Sequence, residues 1–281
     1  MALFAVLVAG SFSLGGQIAN LVAPQALTAL RFGIAAVIMG VAAHALIGLR
    51  RDHARAPWRY LALGGLFCIY FVTMFEGLKT APPVSTAAVF TLTPILSGLF
   101  GYWLLGQATT GRMAAALALG GIGALWVIFR ADLAALLAFE IGQGEAIFFV
   151  GCIAHALYTP LVAKLNRGEP PLVFTFGTLA AGFLILTIIA APDLIATDWA
   201  ALPPIFWITL AYLSVAASAI TFLLVQYAAL RLKSAKVMAY TYLTPSVVIL
   251  WEGVLWSDWP RAAILIGVAA TILALSLLLK E

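Results

Sequence analysis

Apolar stretches of helix length follow one another along almost the whole chain, with only short polar breaks between them. A helix needs roughly 20 mainly apolar residues to cross the hydrocarbon core of a bilayer. Of the 281 residues, 64% are hydrophobic and only 9% are charged, far from the composition of a water-soluble domain. The sequence therefore predicts an all-α polytopic membrane protein, a single membrane domain over residues 1–281 that is embedded in the lipid bilayer.

Ten apolar runs are predicted to cross the membrane, and they divide into two groups of five. The predicted spans are residues 2–22, 26–49, 58–78, 84–105 and 113–129, then 146–163, 172–191, 205–230, 237–256 and 262–279. Prolines at several breaks, the last of them Pro260, support these limits, because proline ends one helix and is tolerated at the start of the next. We expect one five-helix half over 1–130, a second over 140–281, and a first span that is retained rather than removed as a signal peptide.

Basic residues are distributed unevenly over the breaks between the predicted spans. If successive breaks lie on opposite membrane faces, one face carries 11 of the 15 lysines and arginines. These are Arg50, Arg51, Arg55, Arg59, Arg112, Lys164, Arg167, Arg231, Lys233, Lys236 and Lys280, whereas Arg31, Lys79, Arg130 and Arg261 fall to the other face with most acidic residues, including Glu140 and Asp258. Cytoplasmic connections carry the excess of basic residues. The pattern predicts that both termini are cytoplasmic.

A weak internal repeat relates the two predicted halves. An offset of 151 residues aligns the tripeptide Leu-Thr-Pro at 92–94 with the same tripeptide at 243–245, each near the middle of a predicted span. Because each half has five helices, an odd number, the halves would enter the membrane from opposite sides. Such inverted repeats are typical of transporters that work by alternating access.

The prolines of the two tripeptides are candidate hinges. Pro94 and Pro245 have no amide hydrogen, so the carbonyls of Phe90 and Thr241 lose their usual helical donor. The freed carbonyls could bind substrate or let the helix bend. The alternative is a static kink in which neighbouring threonine hydroxyls satisfy the carbonyls. The predicted hinge residues are Pro94, Pro245, Thr93 and Thr244.

Three segments carry a resemblance to a known family. These are "LTALRFG" around Arg31, "FEGLKTAPPVSTAAVFTLTP", and its echo "YAALRLKSAKVMAYTYLTP". They resemble the drug/metabolite transporter superfamily, specifically its EamA-type ten-helix exporters, and within it the aromatic amino-acid exporter branch. The resemblance covers essentially the whole chain. It implies export of aromatic and other neutral amino acids through a central cavity of a bacterial cytoplasmic (inner) membrane protein, without ATP hydrolysis by this chain and without a cofactor.

The chain departs from the family pattern at one place. The acidic residue that often ends the fourth span of each half is replaced in the first half by Gln107, and in the second half the corresponding stretch ends in Asp258. A role for an acid at that position of the first half is therefore not carried over.

Ionisable side chains inside spans are costly and so are candidates for substrate contact. His155 lies in mid-span, one helical turn from Tyr158, and is predicted to bind an amino-acid head group; the alternative is a neutral histidine bonded to a neighbouring helix. Lys79 is a candidate counter-charge for a carboxylate, with a local pair to Glu76 as the alternative. Polar and aromatic residues complete the predicted substrate site, with helix packing as the alternative for each: Tyr70, Phe90, Gln226, Tyr240 and Tyr242.

Two further charged residues are interpreted as structural. Arg31 and Glu252 are predicted to be anchors near the membrane interface, with a gating role as the alternative. Cys68 and Cys152 have no metal-ligand or redox spacing and are interpreted as packing residues. Small-residue stretches allow close packing within one chain or between two, so they leave a monomer and an oligomer both open.

Other functions were weighed against amino-acid export. A proton-coupled exporter of cationic drugs or other small metabolites needs a membrane-embedded carboxylate, and the first span has none, although Glu76 or Glu252 could serve. A sugar-phosphate carrier needs basic groups at depth, whereas here they crowd one rim. The three histidines are dispersed and no catalytic or nucleotide-binding motif occurs, so neither an enzyme nor a metal site is predicted. Nucleic acid is not an expected partner.

Overall fold

The computed structural model describes residues 1–129, 131–138, 141–257, 259 and 261–280. Every regular element within these ranges is helical, which confirms the all-α prediction. Four residues used in the charge and proline patterns, Arg130, Glu140, Asp258 and Pro260, lie outside the described residues.

The main helices follow the predicted apolar runs. They are α1 (Ala2–Ile18), α2 (Pro24–Leu46), α3 (Trp58–Leu78), α4 (Pro83–Leu105), α5 (Gly111–Ile128), α6 (Gln143–Leu165), α7 (Pro171–Ile189), α8 (Pro204–Ala229), α9 (234–256) and α10 (Ile264–Leu279). Short helices at Leu133–Ala138 and Ala191–Ala196 lie in the connections. Proline is the first residue of α2, α4, α7 and α8, where its missing amide hydrogen costs nothing.

Seven of the described helices, α2 to α8, are long and apolar enough to cross a bilayer. α1 and α10 are apolar but shorter, with 17 and 16 residues. α9 begins with Ser234–Met238, continues as a 3-10 stretch at Ala239–Leu243, and ends with Thr244–Trp256. The multi-pass membrane character is thus supported by length and composition, whereas the count of ten spans and the inversion of the halves stay predictions.

Two other helices are interrupted within their length. α4 consists of Pro83–Phe90 and Thr93–Leu105, with a break immediately before Pro94, because that proline cannot donate to the preceding turn. α8 contains a π-helical segment at Val215–Ile220. Single-turn π segments loosen the hydrogen-bond ladder and often mark functional sites in helices.

The tightest helix crossings are made through glycine. α3 meets α6 at Gly77 and Gly144, where a Cβ added to either glycine would lie 2.4 to 2.6 Å from the other's carbonyl oxygen. α5 meets α10 in the same way at Gly123 and Gly267. Small residues let helix backbones approach closely in the membrane, where packing replaces the hydrophobic effect as the main attraction between helices.

Candidate functional site

An aromatic cluster occupies the region where α3, α6 and α8 meet. The Phe67 ring of α3 lies 3.8 Å from the Tyr158 ring of α6 and 3.9 Å from the Phe222 ring of α8, measured between centroids. Phe71 stacks on Phe222 with an angle of 10° between the ring planes. All four side chains are buried. Stacking therefore couples three helices at one point.

His155 is surrounded by the same cluster. Its ring centroid lies 4.5 Å from that of Tyr70 and 5.1 Å from that of Phe90. The side chain is 3% exposed, and its Nδ1 atom has no hydrogen-bond partner among the described residues. A buried ring nitrogen has given up its hydrogen bonds to water, and without a protein partner it carries an energetic cost. A hydrogen bond from a ligand or a water molecule would remove that cost.

Gln226 of α8 connects Tyr158 to α7. Its Nε2 atom donates to the Tyr158 hydroxyl at 2.9 Å and to the Thr178 hydroxyl at 3.2 Å. The Oε1 atom of the same amide is buried and accepts no hydrogen bond within the described chain. The structure thus brings together five of the predicted substrate residues, His155, Tyr158, Tyr70, Phe90 and Gln226.

A small cavity lies inside this cluster, between α1, α3, α6 and α8. Its walls are mainly aromatic and aliphatic, with His155, Ser11 and Thr221 as polar members, and Ala217 also lines it. Its volume is only about 10 Å³, which is room for about one water molecule. Small-molecule sites usually measure several hundred cubic ångströms. The helices must therefore separate before a metabolite can enter.

Arg31 is buried beside this cavity and is not the interfacial anchor that the sequence suggested. The residue is 0% exposed, and its guanidinium lies 3.8 Å from the centroid of Phe71, a cavity-lining ring. Nε donates to the hydroxyl of Ser218, and one terminal nitrogen donates to the carbonyl of Ala217. The other terminal nitrogen, Nη1, has no partner among the described residues.

The π-helical segment of α8 explains how Arg31 is held. Both of its hydrogen-bond acceptors, Ser218 and the Ala217 carbonyl, belong to Val215–Ile220. A regular helix would engage that carbonyl in its own ladder, whereas a π segment leaves backbone groups open to a neighbouring donor. The sequence did carry a signal, since Arg31 is the only lysine, arginine or acidic residue between Pro24 and Leu46.

Three predicted substrate residues lie elsewhere. Lys79 Nζ is 2.7 Å from Glu76 Oε2, and both side chains are partly exposed, so the local pair is the observed arrangement. The Tyr242 hydroxyl donates to the carbonyl of Leu117 at 3.4 Å, and its ring packs against α5. Tyr240 packs against the group of buried residues that contains Tyr242, Leu117 and Leu275. Neither tyrosine contributes to the walls of the central cavity.

The two Thr-Pro sites meet where α4 approaches α9. The Thr93 hydroxyl donates to the Phe90 carbonyl at 2.7 Å and lies 3.3 Å from the Thr241 hydroxyl. The Thr241 carbonyl accepts the backbone amide of Thr244. Each carbonyl released by a proline is therefore already engaged, so substrate binding through these oxygens gains no support. A bending role for Pro94 and Pro245 stays a prediction.

A buried ion pair lies at the start of α3, next to the basic α2–α3 connection. Arg59 donates to Glu169 Oε1 at 2.6 Å, and the two side chains are 1% and 6% exposed. Arg59 also donates to the carbonyl of Leu165 at 2.7 Å, so it joins α3 to the α6–α7 connection. Burial by itself would raise the pKa of Glu169, but hydrogen bonds from Arg59 and from the amide of Arg167 hold the pKa below its ordinary value.

This ion pair predicts a pH dependence of stability. Because the pKa of Glu169 is lower in the folded protein, the pair stabilises the fold at pH values above the ordinary 4.5 and loses that contribution as pH falls through the lowered folded value. We expect the thermal stability of the wild type in detergent to fall in that acidic range, and Glu169→Gln to show a weaker fall. Asp52→Asn, which breaks the exposed pair with Arg55, is the matched control. Identical pH profiles for wild type and Glu169→Gln would contradict the assignment.

Comparisons with known proteins identify related membrane transporters. The EamA-like transporter family matches residues 1–129 and 142–280. The uncharacterized transporter YyaM of Bacillus subtilis is 26% identical over 190 residues, which are 66% of this chain and 62% of that protein. The aromatic amino acid exporter YddG of Ancylobacter novellus is 35% identical over 105 residues, 37% of this chain and 36% of that protein. The matched stretch therefore spans less than two thirds of either relative.

A solved crystal structure shares the fold. It superposes with a TM-score of 0.74 and covers 99% of this chain and 95% of its own, at 22% identity. The two family matches leave only residues 130–141 and the last residue uncovered. On these grounds the chain belongs to the EamA-like transporter family, and its predicted resemblance to the drug/metabolite transporter superfamily is confirmed.

Proposed function

We propose that this membrane transporter exports neutral amino acids, aromatic ones foremost, through the region between α1, α3, α6 and α8. The observation that carries the proposal is the position of Arg31, whose guanidinium is fully buried against the wall of an aromatic cavity with one nitrogen unpaired among the described residues. A buried cation beside aromatic rings suits a carboxylate attached to an aromatic side chain.

Two other unpaired atoms near the aromatic cluster suit the ammonium end of a zwitterion. The free carbonyl oxygen of the Gln226 side chain is an acceptor that suits an ammonium group. His155 Nδ1 offers a second hydrogen-bonding atom in the same cluster. Phe67, Phe71 and Phe222 supply the apolar surface for the substrate side chain. The substrate site would therefore have a carboxylate end at α2 and α8 and an ammonium end at α6 and α8.

Transport requires that this closed arrangement opens. The cavity of about 10 Å³ excludes an amino acid, and the ion pair between Arg59 and Glu169 fastens α3 to the α6–α7 connection. In an alternating-access cycle, the helices separate first on one face and then on the other. We propose that the Arg59–Glu169 pair breaks when the protein opens towards the membrane face that carries the basic residues. In our proposal this is the cytoplasmic face of a bacterial inner membrane.

The proposed topology has ten spans in two inverted halves, over 1–130 and 140–281, with both termini cytoplasmic. Its support is the excess of basic residues on one face together with the contact between the two Thr-Pro sites. A reporter protein that is active only in the cytoplasm, fused to the C-terminus, tests it. Activity of the reporter supports the orientation, and a reporter that is active only when exported to the other side of the membrane contradicts it.

Removing both midspan prolines should slow transport. In Pro94→Ala/Pro245→Ala the new amides can close the helical ladder, so bending becomes costlier. We expect turnover to fall about tenfold, equivalent to ~1.4 kcal/mol of barrier, while substrate affinity changes little. The measurement compares initial efflux rates with equilibrium binding. Pro192→Ala, in the short helix Ala191–Ala196, is the control. Unchanged turnover in the double variant would end the hinge hypothesis.

The function itself is tested by efflux from liposomes that contain the purified protein. Vesicles are preloaded with labelled Phe, Met, Thr or Gly, or with a cationic dye. Selective efflux of amino acids, fastest for Phe, supports the proposal, and His155→Ala should then slow it relative to wild type. His44→Ala, an exposed histidine at the end of α2, is the matched control. Efflux of the dye without movement of any amino acid would overturn the proposal.

The charge beside the cavity disfavours the cationic-drug alternative. A drug exporter of that kind binds its cation at a membrane-embedded carboxylate. Here the positive guanidinium of Arg31 is buried beside the cavity, against the lining ring of Phe71, and it repels a cation. The buried carboxylates of Glu252 and Glu145 accept hydrogen bonds from Ser13 and Ser85, and neither these serines nor the carboxylates line the cavity.

A further inference from the structure

A second, much larger recess opens on the outside of the helix bundle. It has a volume of about 460 Å³ and lies between the α2–α3 connection, the start of α3 and the part of α7 from Val173 to Leu184. Its walls are apolar, with Leu61, Val173, Phe176 and Leu184 among them, and Arg50 and His53 border it. This groove shares no lining residue with the central cavity, so it is a separate site.

Small residues on α7 create the groove. Gly177 lets the ring of Tyr60 pack directly on α7, where an added Cβ would lie 2.6 Å from the ring. The small side chains of Ala180 and Ala181 leave space along the same helix. The Tyr60 hydroxyl donates to the carbonyl of His53 at 2.7 Å, which fixes the ring as one wall of the groove. The groove is therefore a built feature with a defined floor, not a gap between loosely packed helices.

The length of the groove matches one leaflet of a bilayer. Its lining residues on α7 run from Val173 to Leu184, which is about 16 Å of helix at the usual rise per residue. Half of a typical hydrocarbon core is about 15 Å thick. A lipid chain that enters beside Arg50 would therefore be covered along most of its depth in the leaflet.

The mouth of the groove is positively charged. The segment from Arg50 to Arg55 contains three arginines and one acid, and that acid, Asp52, pairs with Arg55 at 3.1 Å. Arg50 and Arg51 have no acidic partner in the described part of the chain. Both are exposed, so their guanidinium groups are available to a ligand at the membrane surface.

We propose that this groove binds an anionic phospholipid, with one acyl chain along α7 and the phosphate at Arg50 and Arg51. Guanidinium groups bind phosphate oxygens through paired hydrogen bonds, and basic pockets at the cytoplasmic ends of spanning helices select acidic lipid head groups. A zwitterionic lipid offers the same acyl chains but adds a cation that the arginines repel. The unpaired charge at the mouth thus favours a lipid with net negative charge.

Native mass spectrometry of the purified full-length protein tests the proposal. The protein is titrated with phosphatidylglycerol and with phosphatidylcholine of identical acyl chains, and we expect tighter binding of phosphatidylglycerol. In Arg50→Gln/Arg51→Gln its affinity should fall by about fivefold for each arginine removed, with no change for phosphatidylcholine. Arg231→Gln, an exposed arginine near the end of α8, is the matched control.

A second variant tests the groove itself. Ala180→Phe places a ring in the recess, and we expect it to weaken binding of phosphatidylglycerol without affecting the melting temperature. Equal affinity for the two lipids in the wild type would overturn the proposal. So would selective binding that survives Ala180→Phe, because the lipid would then sit on the surface arginines alone. Amino-acid efflux plays no part in the readout, so the result is independent of the transport proposal.

Discussion

Replacing Arg31 with glutamine is expected to weaken the binding of phenylalanine by roughly 10- to 100-fold, the range set by hydrogen bonds to charged groups. The guanidinium is the buried cation at the wall of the central cavity, and one of its nitrogens is unpaired among the described residues. Glutamine keeps a donor but removes the charge that attracts a carboxylate. Efflux of carboxylate substrates should fall with the binding.

A ligand without a carboxylate distinguishes binding from folding. Phenylalaninamide keeps the ring and the ammonium group of phenylalanine but has no negative charge. We expect the wild type to prefer phenylalanine, and Arg31→Gln to bind the two ligands equally. Arg231→Gln is the control, because Arg231 also lies over an aromatic ring, that of Tyr227 at 3.6 Å, but is exposed. An undiminished preference in Arg31→Gln would show that the carboxylate binds elsewhere.

Arg31 also joins α2 to α8, so its replacement should lower the melting temperature as well. Arg31→Lys separates the two roles. Lysine keeps the charge, but a single ammonium cannot reach Ser218, Ala217 and a ligand in the planar geometry of a guanidinium. We expect Arg31→Lys to retain part of the preference for the carboxylate ligand while losing stability. A purely structural role would change stability in both variants without changing the preference.

The sequence predicts the helices well because their ends are chemically marked. Proline occupies the first position of four helices, and the apolar runs are as long as a bilayer requires. The central candidates were also found, since a histidine, a glutamine and tyrosines in mid-span are rare and costly there. His155, Tyr158 and Gln226 do lie in one cluster.

The sequence could not show which residues meet across helices. These helices are apolar on all sides, so no polar stripe reveals the face that each one turns inward. Tyr242 and Gln226 are equally plausible from their positions, yet Tyr242 packs on α5 while Gln226 contacts Tyr158. The depth of Arg31 was missed for a related reason. Its acceptors come from a π-helical segment of α8, and the apolar sequence of Val215–Ile220 gives no mark of that geometry.

Adding a side chain at the crossing of α5 and α10 is expected to cause a large loss of stability. A Cβ at Gly267 would lie 2.6 Å from the Gly123 carbonyl oxygen, and one at Gly123 would lie 2.7 Å from the Gly267 carbonyl oxygen. Both obstacles are backbone atoms, so relief requires the whole helices to separate. For Gly267→Val we expect the melting temperature in detergent to fall by roughly 5 to 10 °C, with less folded protein recovered.

Gly111→Ala is the matched control for this prediction, because Gly111 begins the same α5 and an added Cβ there meets no other atom within 4 Å. Its melting temperature should equal that of the wild type. If Gly267→Val melted like the control, α5 and α10 could not be in backbone contact. The two helices are the fifth of each predicted half, so their crossing joins the two halves, as the crossing of α3 and α6 also does. A large effect at this position would show that the close contact between α5 and α10 stabilises the folded protein and holds the two predicted halves together.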